Sequence, residues 1–219
     1  MEAVGTLQPM KQLPNIITLS RLVFLVAIAI LAYESWAGAA TLVFFLCLAA
    51  SISDWLDGYV ARRCGYITNF GKLMDAITDK VFVIGLFAVL LFRGMLGRGV
   101  EWLDQAGWIV LFITILRDLV ITGIRMLAAR RGVVLAADKM GKRKTIWQST
   151  AICVLFAVPM FENDFACIGL PQVLAEFVWV NGVLYFFLGG VLTVLSGAMY
   201  FVSYLPHLRG KAPGAGRAA

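Results

Sequence analysis

The stretch from Thr41 to Gly58 reads TLVFFLCLAASISDWLDG. It runs without a charged residue from Thr41 to Ser53 and then meets Asp54 and Asp57. With the small residues just before it, the apolar part covers 37–58, close to the roughly 20 residues that cross a bilayer as a helix. In lipid a backbone must satisfy its own hydrogen bonds, so such a stretch is a helix rather than a lone strand. An apolar helix that ends on two carboxylates decides the fold class and points to the site.

Working outward, five more stretches of this kind occur, at about 16–33, 73–93, 107–129, 144–161 and 174–204. The last is long enough to tilt or to extend past the membrane. Composition agrees. Hydrophobic residues make up 61% of the 219 and charged residues only 15%, where a soluble domain carries about a quarter charged. Mean hydropathy is +0.85. No strand-like alternation and no internal repeat is present. The expectation is an all-α polytopic membrane protein, a bundle of six transmembrane helices, forming one domain over 1–205. Residues 206–219 contain Gly210, Pro213, Gly214 and Gly216 and are expected to be a short disordered cytoplasmic tail. Ile16 to Ala32 has the apolarity of a signal peptide. Arg21 interrupts it and similar stretches recur downstream, so it is read as a retained first span. Met1 to Pro14 is expected to lie along the membrane surface.

The charges orient the bundle. Connections near 34–36, 94–106 and 162–173 carry Glu34, Arg98, Glu101, Asp104, Glu162 and Asp164. The alternate ones carry Arg62, Arg63, Lys72, Arg130, Arg131, Lys139, Lys142 and Arg143. The positive-inside bias puts both termini and the second group in the cytoplasm, as in a multi-pass protein of the inner membrane. The net charge of +6 follows from topology and from attraction to anionic headgroups, so no nucleic-acid partner is needed. The four cysteines, Cys47, Cys64, Cys153 and Cys167, show no metal-ligand spacing and are expected to be isolated apolar fillers. The single histidine, His207, sits near the polar tail, which argues against histidine-based catalysis.

Asp54 and Asp57 stand at i, i+3 and Asp75 and Asp79 at i, i+4, so each pair shares one face of its helix. The two spans are antiparallel and joined by a short loop, which brings four carboxylates to neighbouring helix ends. Acids at the ends of apolar helices cost several kcal/mol unless compensated, and four together repel. They either take up protons or bind cations. Magnesium and manganese prefer oxygen ligands, and two such ions about 4 Å apart suit phosphoryl chemistry. Gly58 and Ala61 fall on the face of Asp54 and Asp57, and Gly71 on that of Asp75 and Asp79. Missing side chains there leave room for a bulky ligand against the backbone. Arg62 and Lys80 flank the cluster, and the competing explanation is simple pairing of the acids with them.

Asp54-x-x-Asp57-Gly58-x-x-Ala61-Arg62, eight residues, then Gly71-x-x-x-Asp75-x-x-x-Asp79 resembles the complete signature of the CDP-alcohol phosphatidyltransferase family. The resemblance implies that Asp54, Asp57 and Asp75 hold Mg2+ or Mn2+ beside a CDP diphosphate. It implies that Asp79 also touches metal and acts as general base, and that Gly58, Ala61 and Arg62 lie along the nucleotide. It further implies CDP-diacylglycerol as donor and a homodimer in the lipid bilayer.

The acceptor alcohol needs separate evidence. Arg117 lies about 20 Å from the end of its span at Arg130, and a charge so deep in an apolar helix marks a functional site by default. Arg117 and Arg125 share a broad face. A basic run follows, Lys139-Met140-Gly141-Lys142-Arg143-Lys144-Thr145. Together these charges suit a doubly charged phosphate. The alternatives are an internal pair of Arg117 with Asp118 and a purely topological role for the basic run. The spacing Arg117…Gly123-Ile124-Arg125, the run Gly141-Lys142-x-Lys144-Thr145-x-x-Gln148 and the entry Pro14-Asn15-Ile16-Ile17-Thr18-Leu19-Ser20-Arg21 are similar to the phosphatidylglycerophosphate synthase branch of the family. That branch implies glycerol 3-phosphate as acceptor, its phosphate held by Arg117, Arg125, Lys142 and Lys144. Asp118 departs from the glutamate expected after the first arginine, keeping the charge with a shorter reach. Serine, an inositol phosphate or phosphatidylglycerol stay open as acceptors, and a divalent-cation transporter stays open as another class of function.

Overall fold

A computed structural model of the chain describes the backbone of residues 8–64, 69–130, 139–165 and 172–208. Side chains are described for 20–53, 74, 77–128, 140, 141, 143–165 and 172–202. These residues form six α-helices and no strand: α1 (Gln8–Leu31), α2 (Ala39–Cys64), α3 (Asn69–Phe92), α4 (Glu101–Arg130), α5 (Lys139–Pro159) and α6 (Gln172–Leu208). A π turn, Met160–Asp164, extends α5 beyond Pro159.

The described parts of the helices carry apolar residues on outward faces as well as between helices, as helices do where one side meets protein and the other lipid. Val23, Phe45, Phe112, Leu119, Phe177 and Val202 all face outward, which in water would be an aggregation hazard. Among the described residues three helices are long and apolar enough to cross a membrane, over Glu101–Ala128, Arg143–Asp164 and Gln172–Val202. Shorter apolar stretches lie at Ser20–Leu31 and Ala39–Ser53. The chain is an all-α membrane protein.

The helices fall on the expected stretches and mostly run beyond them: α2 continues to Cys64, and α3, α4 and α5 begin at Asn69, Glu101 and Lys139. α1 starts at Gln8 and passes through Pro14, instead of beginning near 16 after a separate surface segment. Hydropathy marks only the apolar part of a helix, and Lys11 and Gln12 extend the same helix as polar turns. Residues 1–7 lie outside the described residues. α6 is 37 residues long, about 55 Å, against a hydrocarbon core of about 30 Å. It therefore tilts or projects from the membrane. It ends at Leu208, so residues 206–208 of the expected disordered tail continue the helix, and the rest of that tail, from 209 onward, lies outside the described residues.

α5 occupies the centre, packing along α6 and touching α2 and α3, while α1 rests on α2 and α3 and α4 rests on α6 and α3. Phe87, Phe156, Phe186, Leu86 and Ile152 are buried between them. The Phe87 and Phe186 rings meet edge to face, with centroids 5.0 Å apart. Gly182 sets the close approach of α5 and α6, since a Cβ there would lie 2.7 Å from Leu155 Cδ2. Small residues serve this purpose where apolar helices pack in lipid. Cys47 and Cys153, expected to be isolated, touch across α2 and α5 with sulfurs 3.7 Å apart and remain free thiols. Cys64 and Cys167 have no described side chain.

At one end of the bundle the α1–α2 connection, the α3–α4 connection and the π turn come together. Asp164 accepts from Gly38 N (2.9 Å), Thr41 N (2.7 Å) and Thr41 Oγ1 (2.6 Å). Gly38 has φ +95°, the left-handed region in which glycine alone is unstrained. Arg98 pairs with Glu162 and lies over the Trp179 ring, and Trp179 Nε1 donates to Leu96 O at 3.1 Å. This is the distal end, and the sequence-marked site lies at the other.

Candidate active site

Cations crowd the start of α5. Lys139, Lys142, Arg143 and Lys144 occupy its first two turns, with no acid in the first. A helix N-terminus carries a partial positive charge, so this placement is unfavourable in isolation. The compensation comes from α4. Lys144 is only 4% exposed and donates to both oxygens of Asp118, at 2.8 and 2.9 Å. Arg117 Nη1 donates to the same carboxylate at 2.9 Å. A buried lysine and a half-buried arginine thus share one acid.

α6 holds the other side of the guanidinium. Arg117 Nη2 donates to Ser196 Oγ at 2.9 Å, and Ser196 is anchored in turn on Thr193 O. Gly197 leaves the room that Arg117 fills, since a Cβ there would come within 3.0 Å of Arg117 Cγ. Arg117 Nε is buried and has no hydrogen-bond partner. One layer deeper, Gln148 Nε2 bridges Thr114 Oγ1 (3.4 Å) and Thr193 Oγ1 (3.3 Å), tying α4, α5 and α6 together. Buried polar groups joined in this way fix one arrangement of their helices.

α3 meets this pocket through adjacent residues. Lys80 Nζ donates to Thr122 Oγ1, and Thr122 Oγ1 itself donates to Asp118 O at 2.6 Å. Asp79, half-buried, is near enough to Lys144 to act on it electrostatically. The fourth aspartate of the signature therefore borders the basic pocket.

Arg125 sits elsewhere. It is eight residues beyond Arg117, about 12 Å along α4. It is exposed, donates from Nε to Tyr200 OH at 3.1 Å and stacks its guanidinium 5.5 Å from that ring's centroid. Arg117 and Lys144 converge, and Arg125 stands at the rim. Asp54, Asp57, Gly58, Ala61 and Arg62 lie in α2, Gly71 and Asp75 in α3, and Lys142 in α5; their side chains are outside the described residues. The α2 and α3 backbones are continuous through both aspartate pairs, so the same-face spacing holds along each helix. No metal-binding cluster of His, Cys, Asp or Glu occurs among the described residues, and of the four aspartates only Asp79 has its side chain among them. Oxygen-only donors at that spacing fit a hard divalent ion.

Ser196, Gly197 and Tyr200 on α6 were not singled out in the sequence. Their signal was available. Gly189, Thr193, Ser196, Gly197 and Tyr200 recur at helical spacing inside an otherwise apolar helix. Such a stripe of small and polar residues marks a helix contact in lipid.

Residues 11–202 match the family model described as CDP-alcohol phosphatidyltransferase. The chain is similar to proteins named CDP-diacylglycerol–glycerol-3-phosphate 3-phosphatidyltransferase. With that of Bacillus subtilis it shares 33% identity over 88% of this chain and 94% of the relative. With that of Rickettsia typhi it shares 29% over 88% and 96%. With that of Mycoplasma genitalium it shares 34% over 75% of this chain. The alignments span 64% of the Mycoplasma genitalium protein and 50% of its Mycoplasma pneumoniae counterpart.

Proposed function

Because the chain belongs to the CDP-alcohol phosphatidyltransferase family, we propose that it transfers the phosphatidyl group of CDP-diacylglycerol to glycerol 3-phosphate, yielding phosphatidylglycerophosphate and CMP. The observation that carries the choice of acceptor is the Arg117–Lys144 pair with Asp79 at its border. A cationic seat with a carboxylate base within its electrostatic reach suits an acceptor with a phosphate at one end and a hydroxyl at the other. The relatives' names point to the same acceptor.

In this reading all six helices span the inner membrane, with both termini and the site facing the cytoplasm. The donor enters from the inner leaflet with its acyl chains in lipid. Asp54, Asp57, Gly58, Ala61, Arg62, Gly71 and Asp75 line its CDP group. Asp54, Asp57, Asp75 and Asp79 hold one or two Mg2+ or Mn2+ ions, which when bound supply positive charge beside the diphosphate. Glycerol 3-phosphate seats its phosphate on Arg117 and Lys144, with Arg125 guiding it in from the rim and Lys142 adding a further positive charge. Asp79 removes the proton of the primary hydroxyl, the freed oxygen attacks the β-phosphorus, and CMP departs. The reaction needs the two partners held in line, and that positioning supplies much of the rate. A homodimer is part of the proposal.

The deciding experiment supplies the purified protein with CDP-diacylglycerol and, separately, glycerol 3-phosphate, serine, an inositol phosphate and phosphatidylglycerol. CMP release with glycerol 3-phosphate alone is expected. Release with another alcohol and not with this one would move the assignment to that alcohol.

A further inference from the structure

In the structure the cations assigned to the acceptor are already engaged, and by an acid of their own. Asp118 receives two hydrogen bonds from Lys144 and one from Arg117. We propose that Asp118 is an internal counter-anion that occupies the acceptor's seat, must yield it on binding, and so restricts the pocket to doubly charged acceptors. This rests on Arg117 and Lys144 being the acceptor seat.

Burial makes the exchange consequential. Lys144 is 4% exposed, and the side chains of Arg117 and Asp118 are 15% and 14% exposed. A buried cation without a partner is costly, so in the absence of acceptor a resident anion is needed to hold the pocket together. Asp118 meets that need incompletely. Its single charge faces two cations, and Arg117 Nε remains without a hydrogen-bond partner. The pocket therefore keeps a spare donor while Asp118 is in place.

Any acceptor that uses Lys144 and Arg117 must take hydrogen bonds now aimed at Asp118. A phosphate dianion can do so, because it brings more negative charge and more oxygen acceptors than one carboxylate. A neutral or zwitterionic alcohol brings no surplus negative charge, and a monoanion only matches what it displaces. Each of these leaves Asp118 the better partner. Selectivity then arises by competition against the wrong ligand as much as by attraction of the right one.

The test compares the parent protein with Asp118→Asn and Asp118→Glu in detergent. Inorganic phosphate serves as dianionic probe and methanesulfonate as monoanionic probe. In Asp118→Asn the inhibition constant of phosphate and the KM of glycerol 3-phosphate are each expected to fall about tenfold, about 1.4 kcal/mol. Methanesulfonate, ineffective on the parent, is expected to become an inhibitor of that variant. The KM for CDP-diacylglycerol should not move, and Asp118→Glu should keep the parent's exclusion of methanesulfonate. A damaged fold weakens binding, so tighter binding cannot come from damage. Phosphate affinity that is unchanged or weaker in Asp118→Asn overturns the proposal. The melting temperature with each probe is read without substrate. It therefore tests the seat even if glycerol 3-phosphate proves not to be the acceptor. If Asp118→Asn fails to fold, the parent alone decides: phosphate must raise its melting temperature and methanesulfonate must not, and equal stabilisation overturns the proposal.

Discussion

The two ends of the bundle each centre on one aspartate, and they use it differently. At the distal end Asp164 faces three neutral donors at the start of α2. Its charge meets a helix N-terminus, where the dipole favours it, and the arrangement is complete as it stands. At the site end Asp118 faces two cations, a buried Lys144 and a half-buried Arg117, beside an Arg117 Nε with no partner. Burial is greater where the partners are themselves charged. Stability alone favours the opposite distribution, since uncompensated buried charge is costly. The charged cluster lies at the end to which the proposed function assigns the substrates.

The largest effect should come from the residue where the acidic face meets the basic pocket. Asp79→Asn removes the base and keeps the shape. Turnover is expected to fall about a thousandfold, with the melting temperature little changed. CMP release at saturating substrates checks this, and a variant that turns over at the parent rate would end the assignment of Asp79 as base. Next comes Lys144→Ala. It removes one of the two cations and the bonds to Asp118, and the KM for glycerol 3-phosphate should rise about thirtyfold, about 2 kcal/mol. The KM for CDP-diacylglycerol should stay where it was. A rise in both would mean that Lys144 supports the whole helix interface and not the acceptor alone.

The same contrast marks what the sequence could reveal. Helices and acidic motif were legible because their signals are local: apolar runs about 20 residues long, and aspartates at i, i+3 and i, i+4. Arg117 stood out for its depth, and its possible partner Asp118 was visible beside it. That Lys144 would come across from α5 to the same carboxylate was not visible, because the partner lies 26 residues away and helix rotation decides it. Arg125 shows the limit from the other side. Its spacing put it on a broad face with Arg117, yet two helical turns of rise carry it to Tyr200 at the rim. The Asp164 cap spans 126 residues, and nothing local announces it. Asp164 read simply as one acid of an outer connection.

The smallest effect on catalysis should come from that cap. Asp164→Ala strips the acceptor from Gly38 N, Thr41 N and Thr41 Oγ1 and leaves donors exposed at the start of α2. Losing an N-terminal cap costs about 1 kcal/mol, so the detergent melting temperature should fall by a few degrees. Both KM values and kcat should hold. The reason is distance along one helix: α2 carries its cap at Gly38–Thr41 and the aspartates proposed to hold metal at Asp54 and Asp57, and roughly 13 residues of helix, about 20 Å, separate them. A rigid helix held by the core around Cys47 and Ala50 should not pass fraying at one end to the other. If Asp164→Ala instead raises the KM for CDP-diacylglycerol, α2 moves as a unit during catalysis. The distal cap would then be part of the machinery that sets where Asp54 and Asp57 stand, and the division between the two ends would fail.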